Sequence, residues 1–199
     1  LSSLTPAAAE QLIEHDQWQP IQAALTAADD QAAAVAASGL GYINHPRARR
    51  MLQDLVSSHD RGHQVRAASA AALGRSAEGE QFLLRLVQQG GISEDIEFAV
   101  SNALLGSKND AIRSSARQHL KLPEAANQET IPPLNVLVDR RGDAAAGQIV
   151  FNGSGTCIKC HKVDGAGKEI GPDLSEIGDK LPRQELYVSI LNPNAAVSH

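Results

Sequence analysis

The chain has 199 residues, of which 42% are hydrophobic and 3% aromatic, and its formal charge at pH 7 is −5. Alanine, leucine and valine must therefore supply most of the buried surface, and this composition favours helices. An acidic chain without a dense Lys/Arg cluster is poorly suited to bind phosphate backbones, which argues against nucleic acid as a partner. No apolar run reaches the roughly 18 residues that a membrane span needs.

The first part of the chain, residues 1–122, contains an alanine-rich pattern that recurs. Three such segments close on Gly41, Gly74 and Gly106, which lie 33 and then 32 residues apart. This spacing is typical of a two-helix repeat. We expect small residues to let facing helices approach closely, a recurring leucine to fill the seam, and the glycine to terminate each helix.

A fourth segment, 112–120, is similar in sequence to 65–73 but follows after a shorter interval. We interpret it as a degenerate or capping unit. The segments between the repeated helices, such as 49–56 and 79–87, have apolar residues at helical spacing and are candidate partner helices. This part of the chain resembles HEAT repeats, which implies an α-solenoid of paired antiparallel helices.

The stretch 123–138 differs in character from its neighbours. It contains Pro132 and Pro133, and two successive prolines favour an extended strut over a helix. We therefore predict an N-terminal domain over 1–122, a linker over 123–138 and a second domain over 139–199.

The two cysteines of the chain, Cys157 and Cys160, are separated by two residues and followed directly by His161. Two thiols at this spacing can form a redox disulfide, supply half of a zinc site, or attach a haem through its two vinyl groups. In a haem site the adjacent histidine ligates the iron. The pentapeptide therefore predicts a c-type haem site, with the other two chemistries still open.

The neighbourhood of the motif argues against those two alternatives. A structural zinc site is usually completed by four protein ligands, and only His161 and the terminal His199 lie close enough in sequence to join the thiols. A thioredoxin-like site would need strands around the motif, and the sequence pattern predicts none there.

The flanks add a second pattern. Gly147 and Phe151 lie on one face of a predicted helix, where a small residue beside an aromatic one allows another helix to cross closely. Downstream, Gly171-Pro172-Asp173-Leu174 begins ten residues after His161. With its cysteine motif, the region resembles a class I cytochrome c domain. The stretch 170–193 is similar to the haem-binding CxxCH proteins of planctomycetes and related bacteria, in which HEAT-like repeats precede a cytochrome c domain.

The resemblance implies a role for each of these residues. Cys157 and Cys160 would hold one covalent haem c, His161 would ligate the iron, and the carbonyl of Pro172 would accept a hydrogen bond from the other imidazole nitrogen. Apolar side chains would line the haem crevice: Phe151, Leu174, Ile177, Leu181, Leu186, Tyr187 and Ile190.

The sixth iron ligand is the point at which the sequence departs from the family pattern. A class I cytochrome usually supplies a distal methionine, but the only methionine is Met51, in the repeat part. We therefore expect the haem domain to be truncated at its C-terminus. The sixth position would be open, filled from another chain, or filled by a histidine, for which His199 is the candidate.

These features together predict an all-α chain, a HEAT-like solenoid followed by a small, incomplete cytochrome c domain. The expected function is electron transfer without catalysis by the chain itself, with electrons passed from a partner or fused dehydrogenase or exchanged with another cytochrome. The repeats would serve as docking scaffold, and the c-type family implies a periplasmic or otherwise exported protein. Two alternatives are a haem-based sensor with an open distal site and an interaction scaffold in which the haem is accessory.

Overall fold

A computed structural model of the chain describes residues 4–120 and 129–192. The described residues fall into two compact units that divide between Pro133 and Leu134. They form twelve α-helices and a single small two-stranded sheet. The expected all-α fold class is confirmed.

The N-terminal unit contains eight helices in its described part. Several begin at a side chain that accepts a hydrogen bond from a backbone N–H of the first turn, as Thr5, Asp29, Ser76 and Asn109 do. The helices are α1 (Pro6–Glu14), α2 (Trp18–Leu25), α3 (Asp30–Leu40), α4 (Pro46–Ser57), α5 (His63–Leu73), α6 (Ala77–Gln88), α7 (Glu94–Leu105) and α8 (Asp110–Ala116).

Helices α3, α5 and α7 stack in a row, with α5 packed between the other two, and α4 packs against α5. Each helix of this row ends on a fully buried leucine or has one in its last turn: Leu40, Leu73 and Leu104. The recurring leucine therefore does fill the seam between the repeated helices, as the sequence predicted. Burial of one such side chain stabilises the fold by roughly 1.5–3 kcal/mol.

The repeated glycines stand at the ends of α3, α5 and α7, but their conformation differs from that of a glycine helix terminator. Gly41, Gly74 and Gly106 all have right-handed helical φ angles, −66°, −62° and −88°. The three helices do end at these glycines, as predicted, but any L-residue can adopt such angles, so a left-handed conformation is not what requires glycine here. A different constraint must account for glycine at these positions.

That constraint is the distance between neighbouring helices of the row. A Cβ atom added at Gly41 would lie 2.5 Å from Cβ of Ala72, and one added at Gly74 would lie 2.6 Å from Cβ of Ala103. Both separations are far inside van der Waals contact. The glycine of one repeat and the alanine of the next therefore allow the close approach that the alanine-rich pattern predicted.

Helix α8, from the segment that is similar to α5 in sequence, occupies a different place from α5. It packs against α6 and α7 and so continues the row of α4 and α6. In each repeat a helix of the α4 and α6 row comes before a helix of the α5 and α7 row. Helix α8 takes the earlier of these two places, so it follows α7 at less than a full repeat.

A buried arginine connects successive repeats. The Arg66 side chain is only 6% exposed, and its Nη1 and Nη2 lie 2.7 Å from Oδ2 of Asp95 and from Oγ of Ser93. Burial disfavours ionisation of Asp95, but the Ser93 hydrogen bond and the Arg66 charge outweigh it and lower the pKa of the Asp95 carboxyl. The ion pair thus ties the start of α7 to α5.

The C-terminal unit contains short elements: α9 (Leu134–Asp139), α10 (Ala144–Asn152), a 3-10 turn (Cys157–Lys159), β1 (Lys162–Val163), β2 (Ala166–Gly167), α11 (Ile177–Lys180) and α12 (Arg183–Leu191). Helix α9 packs against α12, and Arg183 donates a hydrogen bond to the carbonyl of Arg140.

Residues 134–138 were expected to be extended linker, but they are helical. The side chain of Leu134, at the start of α9, is buried. The domain boundaries 122/123 and 138/139 stay predictions, and the first of them falls among residues outside the described range.

Within the described ranges, no helix is both long enough and apolar enough to span a membrane.

We expect Gly74→Ala to lower the free energy of unfolding of the N-terminal unit by about 1–3 kcal/mol, because the added methyl group overlaps Ala103. Chemical denaturation followed by circular dichroism measures this. The control is Gly91→Ala, where the nearest atom to the new Cβ is 3.4 Å away. This variant should change stability by less than about 0.5 kcal/mol. Equal stability of the two variants would contradict the packing role of Gly74.

Candidate functional site

The Cys157 to His161 motif follows α10 through a tight connection. Helix α10 begins at Asp143, whose carboxylate accepts a hydrogen bond from the N–H of Ala146. After the helix, Thr156 has a left-handed φ of 57°. The backbone N–H groups of Cys160 and His161 then both donate to the carbonyl of Cys157, at 3.1 and 2.9 Å. This single turn gathers both cysteines and the histidine.

The motif is followed by a β-hairpin that sequence reasoning missed. Strands β1 and β2 pair antiparallel around Asp164 and Gly165, whose φ angles are 49° and 81°. Two central residues with positive φ are typical of a type I′ turn, and Asp-Gly is one of its preferred sequences. The Asp-Gly pair was therefore an available signal, but its strands are only two residues long.

The hairpin leads into a loop that returns to the motif. The N–H groups of Ile170 and Gly171 donate to the carbonyl of Cys160 at 3.1 and 2.8 Å. A Cβ atom at Gly171 would lie 2.6 Å from Cε1 of His161, so only glycine lets the loop lie directly against the imidazole. The loop thereby brings Pro172 next to His161.

Nδ1 of His161 lies 2.9 Å from the carbonyl oxygen of Pro172, the contact that the resemblance implied. A proline carbonyl can only accept a hydrogen bond, so Nδ1 must carry the proton. The neutral ring then has its lone pair on Nε2. This tautomer is the one that binds a metal through Nε2.

Charged side chains surround this loop. Nζ of Lys162 lies 2.5 Å from Oε1 of Glu169 and 3.7 Å from Oδ2 of Asp173. The hydrogen bond to Glu169 and its charge raise the pKa of Lys162, whereas hydrogen bonds from Ser175 lower the pKa of Asp173. The two groups are therefore held in their charged forms.

The apolar residues of the C-terminal unit do not close into a core of their own. Leu134 is its only buried hydrophobic residue in the described range. The proposed crevice residues Phe151, Leu174, Ile177 and Tyr187 are half-buried. Other large apolar side chains are strongly exposed: Ile149 at 73%, Ile170 at 74% and Ile190 at 75%.

This arrangement fits a haem. Two thiols and an imidazole with a free Nε2 supply its attachment and ligation chemistry, and the exposed apolar side chains offer surface for a flat apolar ring. The residues of the unit are therefore suited to the group that their motif predicts.

The face of α10 that carries Gly147 is open. Within the described residues, no atom from outside the backbone of α10 lies within 4 Å of a Cβ built at Gly147, so no described helix crosses at this point.

The zinc alternative lacks ligands in the part of the chain that the structure describes. No group of three or more His, Cys, Asp or Glu side chains is placed there to hold a metal ion. The two thiols are free.

The structure also places one of the two residues discussed for the sixth iron position. Met51 packs half-buried against the core of the N-terminal unit, and His199 lies outside the described residues.

Comparison with known families decides the class of both units. Residues 144–198 match the model of the cytochrome c family. The C-terminal unit is a cytochrome c domain. Residues 19–90 match the model of HEAT repeats, so the expected order of HEAT repeats followed by a cytochrome c domain is confirmed. A cytochrome c domain implies haem c. Searches of curated proteins and of solved structures found no match to the chain.

We expect Gly171→Ala to separate the loop from the His161 ring and to weaken the hydrogen bond to Pro172. In haem-loaded protein this should shift the Soret and α bands and make the visible spectrum more sensitive to mild denaturant. Gly178→Ala is the control, because no atom lies within 4 Å of its new Cβ. Identical spectra and denaturant midpoints in both variants would refute a steric role for Gly171.

Proposed function

We propose that the chain is an electron carrier that uses one covalently bound haem c. The thiols of Cys157 and Cys160 would hold the haem through thioether bonds to its two vinyl groups, and His161 would ligate the iron through Nε2. Electron transfer changes the oxidation state of the iron and needs no catalytic acid, base or nucleophile. The chain thus carries electrons and does not itself catalyse a reaction.

The observation that carries this proposal is the orientation of His161. Its Nδ1 is held by the Pro172 carbonyl at 2.9 Å, in the same turn that presents the two thiols. The hydrogen bond fixes the ring and raises the basicity of Nε2, which favours ligation. A histidine that served only in packing would have no need of this defined tautomer.

The apolar side chains of the unit support the same reading. Phe151, Leu174, Ile177 and Tyr187 would line the haem crevice, and the ring would bury surface that the chain alone leaves exposed. In a domain of about 60 residues, such a group supplies a large part of the missing core.

The HEAT repeats would serve as the docking scaffold for a redox partner, a dehydrogenase or another cytochrome. Stacked helical repeats present extended surfaces that suit protein binding. The order of the units supports placement with the haem-binding CxxCH proteins of planctomycete type. Since c-type haem is attached outside the cytoplasmic membrane in that family, we propose a periplasmic or otherwise exported location.

A second function, binding of small gases by the haem, follows from the ligand set. In the described residues 129–192, His161 is the only histidine and methionine is absent. We infer that the sixth ligand comes from outside this range or is a small molecule. Within this chain, His199 is our candidate.

We expect intact-mass measurement of chain produced with c-type haem assembly to show the mass of one added haem. Cys157→Ser with Cys160→Ser should abolish the covalent gain, and His161→Ala should abolish the normal ligation spectrum. His59→Ala, which replaces an exposed histidine of the N-terminal unit, is the matched control and should leave both unchanged. Wild-type protein without haem would refute the proposal and favour the interaction-scaffold function.

Carbon monoxide separates electron transfer from gas binding. If His199 ligates the iron, the reduced wild-type protein should bind carbon monoxide slowly or incompletely, and His199→Ala should bind it fully and at least tenfold faster. The His59→Ala control should behave as wild type. Fast and complete binding by the wild-type protein would contradict ligation by His199 and favour the open-site function.

A further inference from the structure

The Pro172 carbonyl is held against His161 by polar contacts on the surface of the unit. On one side, Gly171 donates to Cys160, and on the other, the N–H of Leu174 donates to the carbonyl of Lys162 at 2.9 Å. Little buried apolar surface braces this loop, because Leu134 is the only buried hydrophobic residue in the described part of the unit. The position of the carbonyl therefore depends on hydrogen bonds near it.

Ser175 makes further hydrogen bonds beside those contacts. Its Oγ accepts a hydrogen bond from the N–H of Asp164 at 2.8 Å and donates to Oδ1 of Asp173 at 2.5 Å. Its own N–H donates to the same carboxylate oxygen at 2.9 Å. One hydroxyl thus connects the turn of the β-hairpin to the residue that directly follows Pro172.

The ion pairs of Lys162 also join this segment, but we expect them to contribute less to the position of the Pro172 carbonyl. Glu169 and Asp173 are exposed and Lys162 is half-buried, and ion pairs with exposed partners contribute little to stability. Their removal would also change the charge close to the iron and so shift its potential directly. The neutral hydroxyl of Ser175 offers a way to test geometry without a change of charge.

We propose that Ser175 is a positioning residue that sets the reduction potential of the haem, acting through Asp173 and the Pro172 carbonyl. This inference rests on the proposed function. A close carbonyl gives the imidazole more anionic character, which stabilises ferric over ferrous iron and keeps the potential low. If the Ser175 hydroxyl is lost, the carbonyl moves away from Nδ1 and the potential rises.

The experiment uses the full haem-loaded chain and the variants Ser175→Ala, Ser175→Thr and Ser189→Ala. Ser189 is the matched control, because its hydroxyl also bonds within the same unit, to the carbonyl of Glu185 at 2.9 Å, but within α12. Two quantities are measured: the reduction potential, and by NMR the exchange rate of the His161 Nδ1 proton in the ferrous protein. The exchange rate reports directly on the hydrogen bond between Nδ1 of His161 and the Pro172 carbonyl.

Ser175→Ala should shift the potential to more positive values and speed exchange of the Nδ1 proton at least threefold. Ser175→Thr, which keeps the hydroxyl, and Ser189→Ala should retain wild-type values. The side chain of Ser175 is exposed, so we expect its variants to fold and attach haem.

Two results would overturn the inference: wild-type potential and exchange in Ser175→Ala, or shifts of equal size in Ser175→Thr. A wild-type chain that gains no haem mass would instead overturn the proposed function, and this inference with it. The two failures are thus distinguished before any potential is measured.

Discussion

The hydrogen bond between Nδ1 of His161 and the carbonyl of Pro172 is the contact on which the proposed haem site depends. It selects the imidazole tautomer, and so it decides which nitrogen would face the iron. The surrounding backbone serves this contact: Gly171 has no side chain that would push the ring away, and the Cys160 carbonyl anchors the returning loop. A few residues in one turn and one loop thus determine the chemistry of the whole C-terminal unit.

The two units reach stability in different ways. The N-terminal unit has a continuous core of its own, built because Gly41 and Gly74 let neighbouring helices approach Ala72 and Ala103 closely. The C-terminal unit has well-defined hydrogen bonds but little buried apolar surface in its described part. The proposed haem would therefore contribute more to the stability of this unit than any bound group does to that of the repeats.

Much of this could be predicted from the sequence, because two kinds of signal were strong. The spacing of Gly41, Gly74 and Gly106 predicted the repeats, and the motif 157–161 predicted a domain that attaches haem covalently. The sequence placed these glycines correctly at the helix ends but could not show that steric contact with the next helix, and not a left-handed conformation, requires them. Two short elements were also missed, helix α9 and the Asp164-Gly165 hairpin. Each has too few residues to show the repeating hydrophobic pattern by which a helix or strand is predicted.

The exposed isoleucines of the C-terminal unit have a consequence for the maturation of the protein. Before haem attachment, Ile149, Ile170 and Ile190 have nothing in the described part of the unit to cover them. Exposed apolar surface is a feature that chaperones and proteases recognise. If the proposed haem covers these side chains, its attachment would also protect the chain from that recognition.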